Sequence, residues 1–191
     1  MKLELVQEDG HPAIRRIIEP ADYLNSAEVP QRHRKVVLAG AIDDTDALAV
    51  TRKLVAGAGL LLILAGEPGR GKSIAAAWAL SCRWGLWVNA PELAVPPKDE
   101  EGKVTLDERM RKAGLLVLDD AGIEHSPSGY AVSRIIAAIE WREAEEKPTL
   151  VTTNLSSKDF KHRYGDRIAS RIDGDPLAFT TCTGPDRRLL R

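Results

Sequence analysis

Residues 60–82 join three local signals into one. An apolar run, Leu60-Leu61-Leu62-Ile63-Leu64-Ala65, passes directly into Gly66-Glu67-Pro68-Gly69-Arg70-Gly71-Lys72-Ser73, and a helix-like stretch, Ile74–Cys82, follows. No other feature restricts the fold as much. A short apolar run ending in glycine reads as a buried strand, so the order is strand, tight loop, helix. The loop meets the pattern G-x-x-x-x-G-K-[ST] at every required position. Gly66, Gly69 and Gly71 let the backbone take conformations that a Cβ resists, so successive N–H groups can converge on phosphate oxygens. The helix adds the partial positive charge of its N-terminus. Gly66, Glu67, Pro68, Gly69, Arg70, Gly71, Lys72, Ser73 and Ile74 are therefore assigned to a nucleoside triphosphate. Lys72 would reach the β- and γ-phosphates, and the Ser73 hydroxyl would ligate Mg²⁺.

The rest of the chain repeats the alternation. Strand candidates recur at 60–65, 86–89, 115–119, 149–153 and 178–182, with helical stretches at 43–56, 73–84, 105–113 and 129–146. Apolar runs alternating with helices predict an α/β fold, a parallel sheet covered on both faces. Asp43 or Asp44 is available to cap the first of these helices. Val132, Ile135, Ile136 and Ile139 share one helical face and read as core. The four tryptophans, Trp78, Trp84, Trp87 and Trp141, read as packing residues, and Cys82 as a small buried hydrophobe. Pro91–Lys103 reads as a loop or lid. The length of 191 residues suits one domain with a real core. Residues 1–35, with Pro12, Pro20 and Pro30, read as an arm or small extension, and 36–191 as the catalytic domain.

Further residues bear on the chemistry. Leu115-Leu116-Val117-Leu118-Asp119-Asp120 is a buried strand ending in carboxylates. Mg²⁺ needs a hard oxygen ligand beside the triphosphate, which assigns Asp119 to the metal. Asp120 then stands where a second carboxylate can polarise an attacking water. Its side chain is one methylene shorter than glutamate, which suggests slow hydrolysis. Asn154 ends the strand Thr149–Thr153; it is either a turn residue or an amide that orients water at the γ-phosphate. Arg167 and Arg171, at i and i+4, share a helical face. They are either solvated surface charges or a finger that enters a neighbouring subunit's site.

Four segments together resemble the AAA+ ATPases, within them the bacterial helicase-loader (DnaC-type) group and the related IstB-like transposition helpers. They are Gly66–Ser73, Leu116–Gly122, Pro148–Leu155 and Tyr164–Ile172. The resemblance implies a P-loop three-layer αβα sandwich with a five-stranded sheet ordered 5-1-4-3-2. It implies Asn154 as sensor 1 and Arg171 as an arginine finger in trans, with Arg167 as the alternative or its support. It implies ATP-dependent self-association and ATP hydrolysis in DNA replication. The implied partner is a replicative helicase, with single-stranded DNA as a further ligand and a transposase as the alternative partner. A helical lid with its sensor 2 arginine is not expected here; Arg187, Arg188 and Arg191 read first as a basic tail.

The balance of charge limits the nucleic-acid reading. A formal net charge of −1 excludes a surface that is basic throughout, so any DNA contact is local. Two groups are candidates: Arg32, His33, Arg34 and Lys35, and Lys158, Lys161, His162 and Arg163. Both also fit an ordinary charged surface. Cys82 and Cys182 have neither zinc-ligand nor disulfide-framework spacing. No apolar run approaches the length of a membrane span, and the first residues do not resemble a signal peptide, so a cytoplasmic protein is expected.

Overall fold

All five apolar runs form strands of one parallel sheet: β3 (Leu61–Ala65), β4 (Gly85–Asn89), β5 (Leu115–Ala121), β6 (Thr149–Thr153) and β7 (Phe179–Thr181). The computed structural model describes residues 2–8, 11–96, 104–125 and 128–188, with backbone alone up to residue 17. The sheet order is β4-β5-β6-β3-β7. Numbered from β3 as the first strand, this is the expected 5-1-4-3-2 seen from the opposite edge. Consecutive β3 and β4 are thus separated by β5 and β6, which leaves the C-terminal ends of β3, β6 and β5 side by side. Ligands of open parallel sheets collect at such a place.

The two sheet faces divide by residue parity, as a period of two demands. Leu61 and Ile63 join Leu116, Leu118, Val151, Ile135, Ile139, Phe160 and Ile168 in one core. This is the face covered by α5 (Leu106–Lys112), α6 (Tyr130–Ala144) and α7 (Ser157–Gly174). Leu62 and Leu64 join Leu115, Val117, Leu150, Leu48, Leu54 and Leu80 in the other. Here α4 (Lys72–Cys82) lies on the sheet, and α1 (Pro20–Ser26), α2 (Gln31–Leu38) and α3 (Asp46–Val55) pack on α4. Ala75, Ala76, Ala77 and Ala79 are all buried, and their small side chains admit these three helices at close range. The result is the three-layer αβα sandwich.

The N-terminal region holds more structure than an arm. Lys2–Glu8 (β1) and His11–Ile17 (β2) pair as an antiparallel hairpin. Leu24, Ala27 and Val29 are buried in the α4-side core, and α2 runs across position 35/36, where the domain boundary was expected. The Trp87 N–H of edge strand β4 donates to the Ala27 carbonyl at 2.8 Å, so the turn after α1 covers part of that edge.

Local readings need several corrections. α3 is capped by Thr45, whose Oγ1 accepts from Leu48 N at 3.1 Å; Asp44 instead pairs with Arg52. Cys82 is exposed on the last turn of α4, and Trp84, just beyond it, is 52% exposed. Trp87 is buried, while Trp78 and Trp141 are half-buried with Arg52, Arg111 and Lys147 over their rings. The segment Pro91–Lys103 begins with a 3-10 turn, Ala90–Ala94, and its residues 97–103 lie outside the described residues. Among the described residues no helix is long and apolar enough to cross a membrane.

Candidate nucleotide-binding site

The loop after β3 has the backbone its sequence demands. Gly66, Gly69 and Gly71 have φ of 134°, 82° and 85°, all in the region that side chains resist. Gly66 has a second constraint, since a Cβ there would stand 2.6 Å from the Cys182 carbonyl oxygen. Gly71 is the left-handed N-cap of α4, so that helix starts at Lys72 itself. The Lys72 ammonium is buried and donates to the carbonyls of Gly66 and Glu67 at 2.5 and 2.9 Å, and to Asn154 Oδ1 at 3.0 Å. Burial pushes its pKa below the ordinary lysine value, against the opposing influence of Cys182, Asp120 and Asp119.

β5 brings its two carboxylates in by breaking register. Leu118 pairs with Val151 and Ala121 with Thr153, so the strand carries an extra residue at Asp119-Asp120. Asp120 absorbs the bulge with φ of 57°. Thr152 stitches the bulge to β6: its Oγ1 donates to Asp119 Oδ1 at 2.6 Å and accepts from Asp120 N at 3.0 Å. Asp119 Oδ1 also accepts from Ser73 Oγ at 2.9 Å. The two residues assigned to Mg²⁺ are therefore in direct contact. Burial raises the Asp119 pKa, the neighbouring Asp120 charge adds to this, and the bonds from Thr152 and Ser73 oppose it.

Asn154 is exposed at the end of β6 and reaches the loop through Lys72. Arg167 and Arg171 lie elsewhere, on the part of α7 that follows a break at Gly165. Both face α6: Arg167 pairs with Glu140 at 3.3 Å and Arg171 with Glu143, and Arg171 Nη1 donates to the Arg167 carbonyl at 2.7 Å. Neither lines the cleft at the phosphate loop.

That cleft has a volume of about 330 Å³. The loop, Asp120 and four arginines border it: Arg70, Arg32 from α2, and Arg187 and Arg188 from the segment after β7. This segment is not a free basic tail. Arg187 N donates to the Gly69 carbonyl at 3.0 Å, Arg70 reaches the Gly184 carbonyl, and Thr183 Oγ1 donates to Asp46 at 2.6 Å. These bonds fold it back over the loop. Arg191 lies outside the described residues.

The groups read as possible DNA contacts are mostly engaged. Arg32 and His33 face the nucleotide cleft, and Arg34 bonds Asn25. Lys161 pairs with Asp173, and Arg163 with the buried Glu124. Lys35, Lys158 and His162 are exposed.

Three polar residues escaped the sequence reading. Thr152 is one of three buried threonines in β6, and its role shows only once β5 and β6 are known to be neighbours. Glu124 accepts from Gly122 N at 2.6 Å, Arg163 Nε at 2.8 Å and Tyr164 Oη at 2.8 Å, tying the turn after β5 to α7. Burial alone would raise its pKa; these bonds outweigh burial and leave it below the ordinary glutamate value. Arg142 is wholly buried and donates to Thr149 Oγ1 and to the carbonyls of Met110, Ala113, Gly114 and Pro148. Only the fold reveals that it is a clamp.

The donor set fits a nucleoside triphosphate with a divalent cation. Glycine N–H groups, a helix N-terminus and an ammonium suit phosphate, and a hydroxyl beside a carboxylate suits the metal. No protein-family model and no curated protein matches the sequence. Solved structures do. The crystal structure of DnaI is 26% identical, with 76% of this chain and 86% of that one covered at a TM-score of 0.59. The DnaC helicase loader is 20% identical, with 81% and 100% covered at 0.62. AMPPCP-bound DnaA from Aquifex aeolicus is 18% identical, with 73% and 47% covered at 0.57. The chain thus shares the AAA+ P-loop fold of the DnaC-type proteins.

Proposed function

We propose that the chain is an ATPase of DNA replication, a cytoplasmic helicase-loader-like factor that assembles on ATP and hydrolyses it between subunits. One observation carries the reading. Lys72 bonds Asn154 and the adjoining Ser73 bonds Asp119 where three adjacent strands end, while Arg167 and Arg171 stand outside that cleft. The likeness to DnaI and the DnaC helicase loader supports a helicase partner, and DnaA bound to AMPPCP supports the nucleotide.

Lys72 is held at the loop by two carbonyls and Asn154, so its charge is in place for the β- and γ-phosphates. Ser73 and Asp119 would hold Mg²⁺, which neutralises charge on the phosphates when bound. Asp120, on the cleft wall, accepts a proton from the attacking water, and Asn154 orients that water. A neighbouring subunit's arginine at position 171 completes the site and stabilises the charge on the transferring phosphoryl group. The Glu143 contact holds that arginine until a neighbour takes its place.

The test is retention of partners on ATP-loaded Asp120→Asn protein, which should bind without turning over. Co-retention of purified replicative helicase and single-stranded DNA is expected. Retention of a transposase instead would favour the transposition-helper reading. Retention of neither helicase nor DNA would remove the loader function.

A further inference from the structure

Arg32 and His33, read in the sequence as possible nucleic-acid contacts, stand at the phosphate cleft. They lie at the start of α2, which packs on α4, and both line the cleft with Lys72, Ser73 and Asp120. His33 is 7% exposed, and its ring tilts against Trp87 with centroids 5.3 Å apart. Arg32 Nε donates to His33 Nε2 at 3.0 Å. A ring nitrogen that accepts carries no proton, so this imidazole is neutral with its hydrogen on Nδ1. Burial keeps it so, lowering its pKa to about 4 with help from the charges of Arg32 and Arg188.

The bond uses only one edge of the guanidinium. Among the described residues the two terminal nitrogens of Arg32 have no hydrogen-bond partner. Arg188, on the folded-back segment, disfavours the charged forms of Lys72 and His33. The cleft walls carry Arg32, Arg70, Lys72, Arg187 and Arg188 against one carboxylate, Asp120. Arg70 and Arg187 already hold Glu67 and Asp43. That excess of cationic charge calls for a polyanion, and a guanidinium fork matches phosphate oxygens.

We propose that Arg32 binds the polyphosphate of the nucleotide in cis, and that His33, braced on Trp87, is the positioning residue that aims its guanidinium. This role rests on the nucleotide reading of the cleft. It makes α2 part of the site, although Arg32 precedes the phosphate loop by more than thirty residues.

The test compares equilibrium binding of Mg-ATP, Mg-tripolyphosphate (which has no base) and a single-stranded oligonucleotide. Arg32→Ala is expected to weaken ATP and tripolyphosphate alike, by about tenfold, the scale of one charge-assisted hydrogen bond. Arg32→Lys keeps the charge without the fork and should fall between. His33→Gln keeps an acceptor and should be milder than His33→Ala. Arg32 is exposed, so its variants should fold, with a melting temperature lowered by no more than the loss of its one hydrogen bond to His33, even where a His33 variant unfolds. Loss confined to ATP would mean a base contact, and loss confined to the oligonucleotide a nucleic-acid contact. Either result, or unchanged binding of all three, overturns the proposal. Wild-type protein that bound neither ATP nor tripolyphosphate would remove the nucleotide reading itself, and the Arg32 role with it.

Discussion

Lys72 Nζ lies 3.0 Å from Asn154 Oδ1, joining the phosphate loop to the end of the strand beside it. The contact separates two roles that sequence alone merges. Lys72→Ala removes the buried charge and should abolish measurable ATP binding. Asn154→Ala leaves the lysine its two carbonyl partners, so ATP affinity should change by less than about threefold while hydrolysis falls about tenfold or more. Equilibrium binding with single-turnover kinetics distinguishes the two; equal loss of binding in both variants would deny Asn154 its role with water.

Arg142 should dominate stability from a position remote from the site. Arg142→Leu leaves the carbonyls of Met110 and Ala113 without a donor in a buried setting. Urea unfolding should show a loss of about 3–5 kcal/mol. A change under 1 kcal/mol would mean water replaces the clamp.

Glu124 links the turn after β5 to α7, so its removal should loosen the helix that bears both candidate finger arginines. Glu124→Ala leaves Tyr164 and Arg163 without their carboxylate. The expected loss is about 3 kcal/mol, with Tyr164→Phe costing about 1 kcal/mol, since only one hydrogen bond goes. Amide exchange along 160–172 should rise in Glu124→Ala, and equal protection in both proteins would count against the link.

His33 gives stability a pH dependence of known sign. An unfolded histidine ionises near 6.5, whereas His33 in the fold does so at about 4. Between these values the unfolded chain binds more protons, so stability falls as pH drops from 6.5 to 4 and its full contribution is present above 6.5. Melting temperatures of wild type and His33→Gln across that range should converge toward pH 4. Parallel curves would show that this ring does not titrate as its burial requires.

Much of the fold was legible because its signals are local. The apolar runs, the glycines of the phosphate loop and the carboxylates ending β5 depend on neighbours in sequence, and each strand of the parallel sheet was found to within two residues, while the β1–β2 hairpin was missed. What stayed hidden depends on long-range contact. The bulge at Asp119-Asp120 exists because Thr152 on another strand fills it. Arg32 and His33 read as surface charge until α2 is seen on α4, and the segment around Arg187 reads as a tail until its N–H meets Gly69. Cys82 and Trp84 were misread as buried because apolar character was taken for burial at the end of α4.

The most direct measurement is ATP hydrolysis by a mixture of two inactive variants. Lys72→Ala spoils the phosphate loop but keeps the arginine; Arg171→Ala keeps the loop but lacks the finger. Each alone should hydrolyse ATP at background, and the mixture should recover a measurable rate that rises with protein concentration. A mixture no faster than the sum of its parts, or an Arg171→Ala protein as active as wild type at every concentration, would contradict a site shared between subunits.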